Sequence, residues 1–377
     1  MDKKYSIFLV LLFSLFVGGI FVGTVVNSVT APEQEFSELE NRYLAKPPKL
    51  SVETVLINGS FMTNAEKYIN DHVVGRDLWV EWKAWCERLN GKKENNGVYL
   101  GSQETLINRL EEPDKEQLEK NVGYVNQLVN NVEIPVYFGL IPSSAAIWQD
   151  RLPKGAPTAD ELEIITELYE QVQTHTIDLY TNLNNHNQEE IYYRTDHHWT
   201  SLGAYYGYEA IMQSLGMTAL PLDEENKVTV SEDFYGTIFS TSGVRWVAPD
   251  HIDRYISGDG LKVTAYPEGT PVDSTLYVDS YLEVKDKYSS FLGGNQPLCV
   301  IETQLTDAPK VLIIRDSYTD SLAPFLTQNF SEIHLFDPRM NLTSVKDYVA
   351  QNEIDTVIVL YSISNFVSAD NLFVLAR

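Results

Sequence analysis

The hydrophobic pattern changes character several times along the chain. Residues 7–26 read IFLVLLFSLFVGGIFVGTVV without a charge, which as a helix spans about 30 Å and matches a bilayer core. Lys3 and Lys4 precede this run, and Glu33, Glu35, Glu38 and Glu40 follow it. That asymmetry places the N-terminus inside and the rest of the chain outside, as a single-pass cell-membrane protein with an extracytoplasmic C-terminal domain. A cleaved signal peptide is the competing reading. Its apolar region is usually shorter and ends in a small-x-small site, and no Ala-x-Ala follows here. The expected organisation is a signal anchor or transmembrane helix over 1–30, a membrane-proximal region over 31–115 and a main domain over 116–377.

Beyond the anchor, residues 61–70 and 78–89 have helical composition, separated by Gly75-Arg76. The stretch 95–101 suggests a turn, a short strand and a second turn. Helices are expected over 116–131 and 159–175, with a buried strand over 134–141 ended by Pro142. Residues 220–300 are rich in Thr, Val, Tyr and Gly, the composition of a β- and loop-rich insertion. From Pro309 the pattern becomes regular. A short continuous apolar run at 311–314, and similar runs at 333–336 and 356–360, suit strands buried on both faces. Helical stretches at 319–329 and 343–352 separate them. This β-α-β-α-β order predicts an α/β fold with a parallel sheet, right-handed crossovers and flanking helices.

Composition narrows the function classes. With 28 Lys and Arg against 53 Asp and Glu, the net charge is −25, a surface that repels phosphate backbones and excludes a general nucleic-acid binder. A 44% hydrophobic content with 22 Tyr, 15 Phe and 6 Trp excludes global disorder. Cys86 and Cys299 are too few for a disulfide framework or a Cys-based zinc site. Both lie in contexts that suit buried thiols, and no disulfide is expected.

Two constellations could carry chemistry. In Asp196-His197-His198-Trp199-Thr200-Ser201, Thr200 or Ser201 can cap the helix that follows. If the approach to that helix is extended, Asp196 and His198 share a face and His197 points away. An Asp beside a His fixes its tautomer and stabilises the imidazolium, as a general base requires. The same residues could instead satisfy loop backbone groups. As metal ligands, adjacent histidines on opposite faces are poor partners, so no metal is expected. In Arg315-Asp316-Ser317-Tyr318, a serine stands where a parallel strand gives way to a helix. Open α/β sheets place their sites there, and free helix N–H groups can hold an oxyanion. Asp316 or Ser317 could also be a plain N-cap. No Gly-x-Ser-x-Gly elbow is present.

Together these pieces resemble the bacterial DHHW protein family. The resemblance rests on Asp196-His197-His198-Trp199-Thr200 with Gly203-Ala204, on Glu40-Asn41-Arg42, on residues 71–76 and 288–295, and on Asp316-Ser317-Tyr318. The first of these also resembles the Asp-x-His-Trp-Thr segment of the alginate O-acetylation proteins AlgJ and AlgX, which have SGNH-hydrolase-like folds. The resemblance implies such a fold here, with Ser317 as nucleophile, His198 as base and Asp196 as the residue that orients it. Arg315 stands where SGNH enzymes usually have glycine. Asn365 is the candidate for the SGNH asparagine, and it could equally cap a turn. Arg315, Tyr318 and Trp199 are further oxyanion or substrate candidates, and Trp199, Tyr205 and Tyr206 could stack on sugar rings or belong to the core. The relatives imply O-acyl transfer to, or removal from, an extracellular or cell-envelope glycan, beside a membrane-bound O-acyltransferase and without a cofactor. Esterase and transferase remain equally open, as does a non-catalytic glycan-binding or scaffold role.

Overall fold

The computed structural model describes residues 3–30, 35–57 and 59–377. Glu33, the first residue of the acidic flank, lies outside the described residues. The chain forms two units, Met1–Asn95 with Gly243–Arg245, and Asn96–Ser242 with Trp246–Arg377.

In the smaller unit, helix Lys3–Thr30 is long and apolar enough to cross a membrane. A membrane anchor and a signal sequence share that character. Two further helices, Ser60–His72 and Arg76–Leu89, follow the composition expected of them. Arg42 grips Asp71 with two N–H groups at 3.0 and 2.5 Å, and Arg76 reaches Glu40 at 2.6 Å. The Arg42 hydrogen bonds hold the Asp71 carboxyl down at about 2. The scattered Glu-Asn-Arg and Asp71–Arg76 pieces of the sequence thus meet in one ion network.

The larger unit is built on an eight-stranded mixed sheet. Its strands in chain order are β1 (Val136–Ile141), β2 (His175–Ile177), β3 (Lys262–Ala265), β4 (Val272–Ser274), β5 (Leu298–Glu302), β6 (Lys310–Arg315), β7 (Glu332–Phe336) and β8 (Thr356–Ser362). Their spatial order is β4-β3-β5-β7-β6-β8-β1-β2. The run from β7 through β2 is parallel, while β5, β3 and β4 add antiparallel pairs at one edge. Part of the β-rich 220–300 region therefore extends the central sheet instead of standing apart from it. The expected helix over 159–175 ends early, at Gln171, and His175 pairs with Tyr137 in the edge strand β2.

The central strands are apolar on both faces because both are covered. Along β6, Val311 and Ile313 enter one core while Leu312 and Ile314 enter the other. Each such fully buried side chain contributes about 1.5–3 kcal/mol. Helices Lys115–Asn131, Glu161–Gln171 and Val345–Asn352 cover one face, and Ser201–Ser214 and Thr319–Leu326 cover the other. The fold is thus an α/β sandwich whose β6 and β8 end side by side.

The cysteines differ from expectation. Cys299 is buried in β5, but Cys86 is exposed on its helix, because the helix buries only Ala84. Burial pushes the Cys299 thiol up to about 12. A maleimide should therefore modify Cys86 in the native protein and Cys299 only after denaturation. Mass spectrometry finding equal modification of both in the native state would contradict this.

Candidate active site

The loop before helix Ser201–Ser214 is a tight turn, not an extended approach. Tyr193 N–H donates to the His198 carbonyl at 3.2 Å, and Thr200 N–H to the Ile191 carbonyl at 3.0 Å. Thr200 caps the helix through Gly203 N–H at 3.2 Å. Position 203 admits only glycine, since a Cβ there would lie 2.1 Å from the Ile191 carbonyl oxygen. Within the turn, Asp196 Oδ1 accepts the His198 backbone N–H at 3.0 Å and lies 2.6 Å from His198 Nδ1. Asp and His thus meet through an Asx-type turn. The β-rich region fixes the loop from outside. Asp250 accepts from Arg194 N–H, Thr195 N–H and the Thr195 hydroxyl, and Thr237 donates its N–H to Asp196 Oδ2 at 2.7 Å. Gly236 permits that approach, because a Cβ there would stand 2.2 Å from the Asp196 Cβ.

Ser317 follows the carboxyl end of β6. Neither Asp316 nor Ser317 caps helix Thr319–Leu326, whose N-cap position is Tyr318 without a side-chain cap. Asp316 instead ties the loop to the end of β8. Its Oδ2 accepts from Ser362 N–H at 2.9 Å, the Ser362 hydroxyl at 2.7 Å and Asn365 Nδ2 at 2.8 Å, and its Oδ1 accepts Tyr318 N–H at 3.1 Å. The Ser317 amide N–H makes no hydrogen bond among the described residues.

The two loops converge. Ser317 Oγ lies 2.8 Å from His198 Nε2, so Asp196, His198 and Ser317 form one hydrogen-bonded line. Asp196 is 2%, His198 5% and Ser317 9% exposed, which leaves the serine as the most accessible end. Burial opposes charge on Asp196, but both histidines, the His198 hydrogen bond and Thr237 N–H together hold its carboxyl well below the usual range. An ionised Asp196 can only accept, so the hydrogen-bond pattern assigns the proton to His198 Nδ1 and leaves Nε2 to accept from the Ser317 hydroxyl.

His197 does not take the orientation expected of it. Its ring does not turn away but lies 3.8 Å from that of His198, with Nδ1 at 2.6 Å from Thr237 Oγ1. A third of its side-chain surface meets solvent, yet burial of the ring, followed by the proximity of His198, lowers it to about 4 and keeps it neutral. Asp196, His197 and His198 also bring ligand atoms within 4.8 Å of one another, close enough to hold a metal ion. Their hydrogen bonds run from Asp196 to His198 and Thr237, from His197 Nδ1 to Thr237 and from His198 Nε2 to Ser317.

The remaining candidates divide by access. Asn365 is half-buried and donates from Nδ2 to Asp316 Oδ2 at 2.8 Å. Arg315 is fully buried beneath the loop, paired with Asp320 at 2.7 Å and donating to Asn295 at 3.2 Å. An incoming substrate cannot reach it, and burial against that pairing raises Asp320 to about 6. Trp199 is likewise fully buried, with its indole N–H on the Tyr318 carbonyl and Ser321 hydroxyl. Tyr318 is buried and its hydroxyl donates to the His197 carbonyl. Both support the site from within. Tyr205 belongs to the core, and Tyr206 is occupied by His186 and Glu189. Sequence reasoning missed Thr237, whose only local signal is the preceding glycine, and Tyr288, whose ring stacks on His198 at 3.8 Å.

A family model described as DHHW protein matches residues 134–336. The chain belongs to the DHHW family. A DHHW family protein from Eubacterium siraeum DSM 15702 is 24% identical and superposes with a TM-score of 0.66, covering 75% of this chain and 95% of its own. Bacillus cereus PatB1, solved with a sulfonyl adduct, is 21% identical with a TM-score of 0.61, covering 74% and 98%. The O-acetyltransferase domain of Pseudomonas putida AlgJ is 13% identical with a TM-score of 0.45, covering 74% and 97%. No curated protein sequence matches the chain.

Proposed function

We propose that this DHHW protein is a serine-dependent O-acyltransferase or esterase acting on a glycan outside the cytoplasm, with acetyl as the acyl group. The unit Asn96–Ser242 with Trp246–Arg377 carries the chemistry, and helix Lys3–Thr30 holds it at the membrane. The observation that supports this reading is the unbroken line from Asp196 through His198 to Ser317, at 2.6 and 2.8 Å. Its members come from two loops at the carboxyl end of a parallel sheet, where such sites form. Membership in the DHHW family, and the Asp-x-His-Trp-Thr segment that resembles O-acetylation proteins, support the acyl group and the glycan.

In the proposed reaction, Ser317 Oγ attacks the carbonyl carbon of an acyl ester while His198 Nε2 takes the hydroxyl proton. The free Ser317 N–H and an Asn365 side-chain N–H face the developing oxyanion. Collapse expels the donor alcohol, which takes the proton back from His198, and leaves an acyl-serine. A glycan hydroxyl or water then gives its proton to His198 and attacks the acyl carbon; the acyl–Oγ bond breaks, His198 returns the proton to Ser317 Oγ, and the acylated glycan or free acid leaves. A membrane-bound O-acyltransferase is the proposed source of acyl groups, and neither metal nor cofactor takes part.

The test uses the purified full chain in detergent with 4-nitrophenyl acetate. The expected result is a burst of nitrophenolate and one acetyl group on the peptide that carries Ser317, discharged faster when an acceptor oligosaccharide is added. Hydrolysis without acetyl on that peptide, or no hydrolysis at all, would overturn the reading and favour a scaffold role.

A further inference from the structure

The segment Tyr288-Ser289-Ser290-Phe291-Leu292-Gly293-Gly294-Asn295 is part of the family pattern but supplies none of the reacting groups. In the structure it begins in a short 3-10 turn, Lys287–Ser290, that drives Tyr288 into the interior, where it is 4% exposed. Its ring lies 3.8 Å from the His198 imidazole, with only 7° between the planes. Its hydroxyl donates to the Ser317 backbone carbonyl at 3.0 Å and lies 3.0 Å from Ser321 Oγ. One side chain therefore touches both the base and the nucleophile loop.

We propose that Tyr288 is a positioning residue of the serine site, fixing the ring plane of His198 and the backbone of Ser317 at the same time. The inference rests on Ser317 being the nucleophile. The His197 ring also lies 3.8 Å from that of His198, so two rings pack against the imidazole. Rotation about its Cβ–Cγ bond would break the Nε2 contact with Ser317 at 2.8 Å, and a stacked ring 3.8 Å away opposes that rotation. The phenol stays a donor, because burial holds it well above its ordinary range. Phe291 at 5.5 Å and the edge of Tyr193 at 6.3 Å back the Tyr288 ring. On the other side of the loop, Trp199 fixes the same Ser321 hydroxyl at 3.0 Å. The anchored ring is thus part of a packed cluster and not a mobile side chain.

The test measures the rate at which methanesulfonyl fluoride modifies Ser317 in the full chain, followed by mass spectrometry. This small reagent reports activation of the serine without needing a bound glycan. Tyr288→Phe keeps the stacked ring and removes the hydroxyl, and should slow modification roughly three- to tenfold, the equivalent of one hydrogen bond. Tyr288→Leu removes both contacts and should slow it roughly 100-fold, as expected for a misplaced reacting group. With 4-nitrophenyl acetate the loss should fall on kcat and leave KM unchanged. Tyr193→Phe alters the same aromatic cluster without touching His198 through its side chain, and should match the unsubstituted protein. Tyr288→Phe modified at the unsubstituted rate with an unchanged melting midpoint would overturn the proposal, whether or not Tyr288→Leu folds. Failure of the unsubstituted protein to be modified at Ser317 would instead remove the nucleophile reading, and this inference with it.

Discussion

Alanine at position 317 is expected to abolish the acyl-enzyme and lower ester turnover by roughly 10⁴-fold or more, because no other group can carry the acyl chain. His198→Ala should cost about as much, and the double variant should be no worse than either single one, since in the proposed reaction the two residues act as one relay. Folding should survive Ser317→Ala. The serine hydroxyl has its hydrogen bond with His198, whereas the loop is held by Asp316 on Ser362, Asn365 and Tyr318. The loss of one such bond is worth about 0.5–1.5 kcal/mol. His198→Ala should destabilise more, because it removes a partner from the buried Asp196 carboxylate. Turnover and melting midpoints for the three variants check this, and a Ser317→Ala protein that still turns over at a tenth of the original rate or better would contradict it.

What the residues disclosed follows the range of the interactions involved. The parallel core was legible because 311–314 is a continuous apolar run and 333–336 and 356–360 are broken only by His334 and Thr356, a pattern that suits a strand covered on both faces. The Thr200 cap was legible because capping is local. The position of β5 was not, since nothing in Leu298–Glu302 distinguishes an antiparallel partner of β7 from a strand of a separate insertion. The three-residue β2 cannot be told from the preceding helix in the sequence, for lack of a break between Gln171 and His175. The facing of His197 was misjudged because alternation holds only in an extended chain, and Asp196 instead folds back on His198 N–H. An aspartate two residues before that amide is the signal for an Asx turn. Tyr288 lies in the 288–295 stretch of the family resemblance, but its place against His198 was hidden for another reason. It is one of 22 tyrosines, and only the tertiary fold brings it onto a histidine far away in the chain. Arg315 looked like a substrate group because it precedes the serine, but the inward-facing side of β6 leaves it fully buried beside Asp320.

Asparagine at position 196 separates charge and tautomer from shape. The amide is nearly isosteric with the carboxylate, and one of its two terminal atoms must still accept Thr237 N–H, now at 2.7 Å from Oδ2. If the amide oxygen takes that place, the NH₂ group faces His198 Nδ1, which is 2.6 Å from Oδ1 in the unsubstituted chain, and also the His198 backbone N–H, whose bond to Oδ1 at 3.0 Å is lost. An NH₂ group donates, so His198 must then accept at Nδ1 and carry its proton on Nε2. A protonated Nε2 cannot accept from the Ser317 hydroxyl, and the relay stops although the side chain keeps its shape. The opposite amide orientation sets NH₂ against the Thr237 N–H, two donors face to face. It also gives up the carboxylate that stabilises the imidazolium formed as Ser317 attacks. Either way turnover should fall by roughly 10⁴-fold, the effect of a wrong tautomer in a serine relay. The melting midpoint should move far less than activity, because packing and volume are conserved. Acetylation of Ser317 by 4-nitrophenyl acetate, followed by mass spectrometry, gives the rate directly. An Asp196→Asn protein acetylated within tenfold of the original rate would mean that Asp196 only shapes the loop and that His198 works without it.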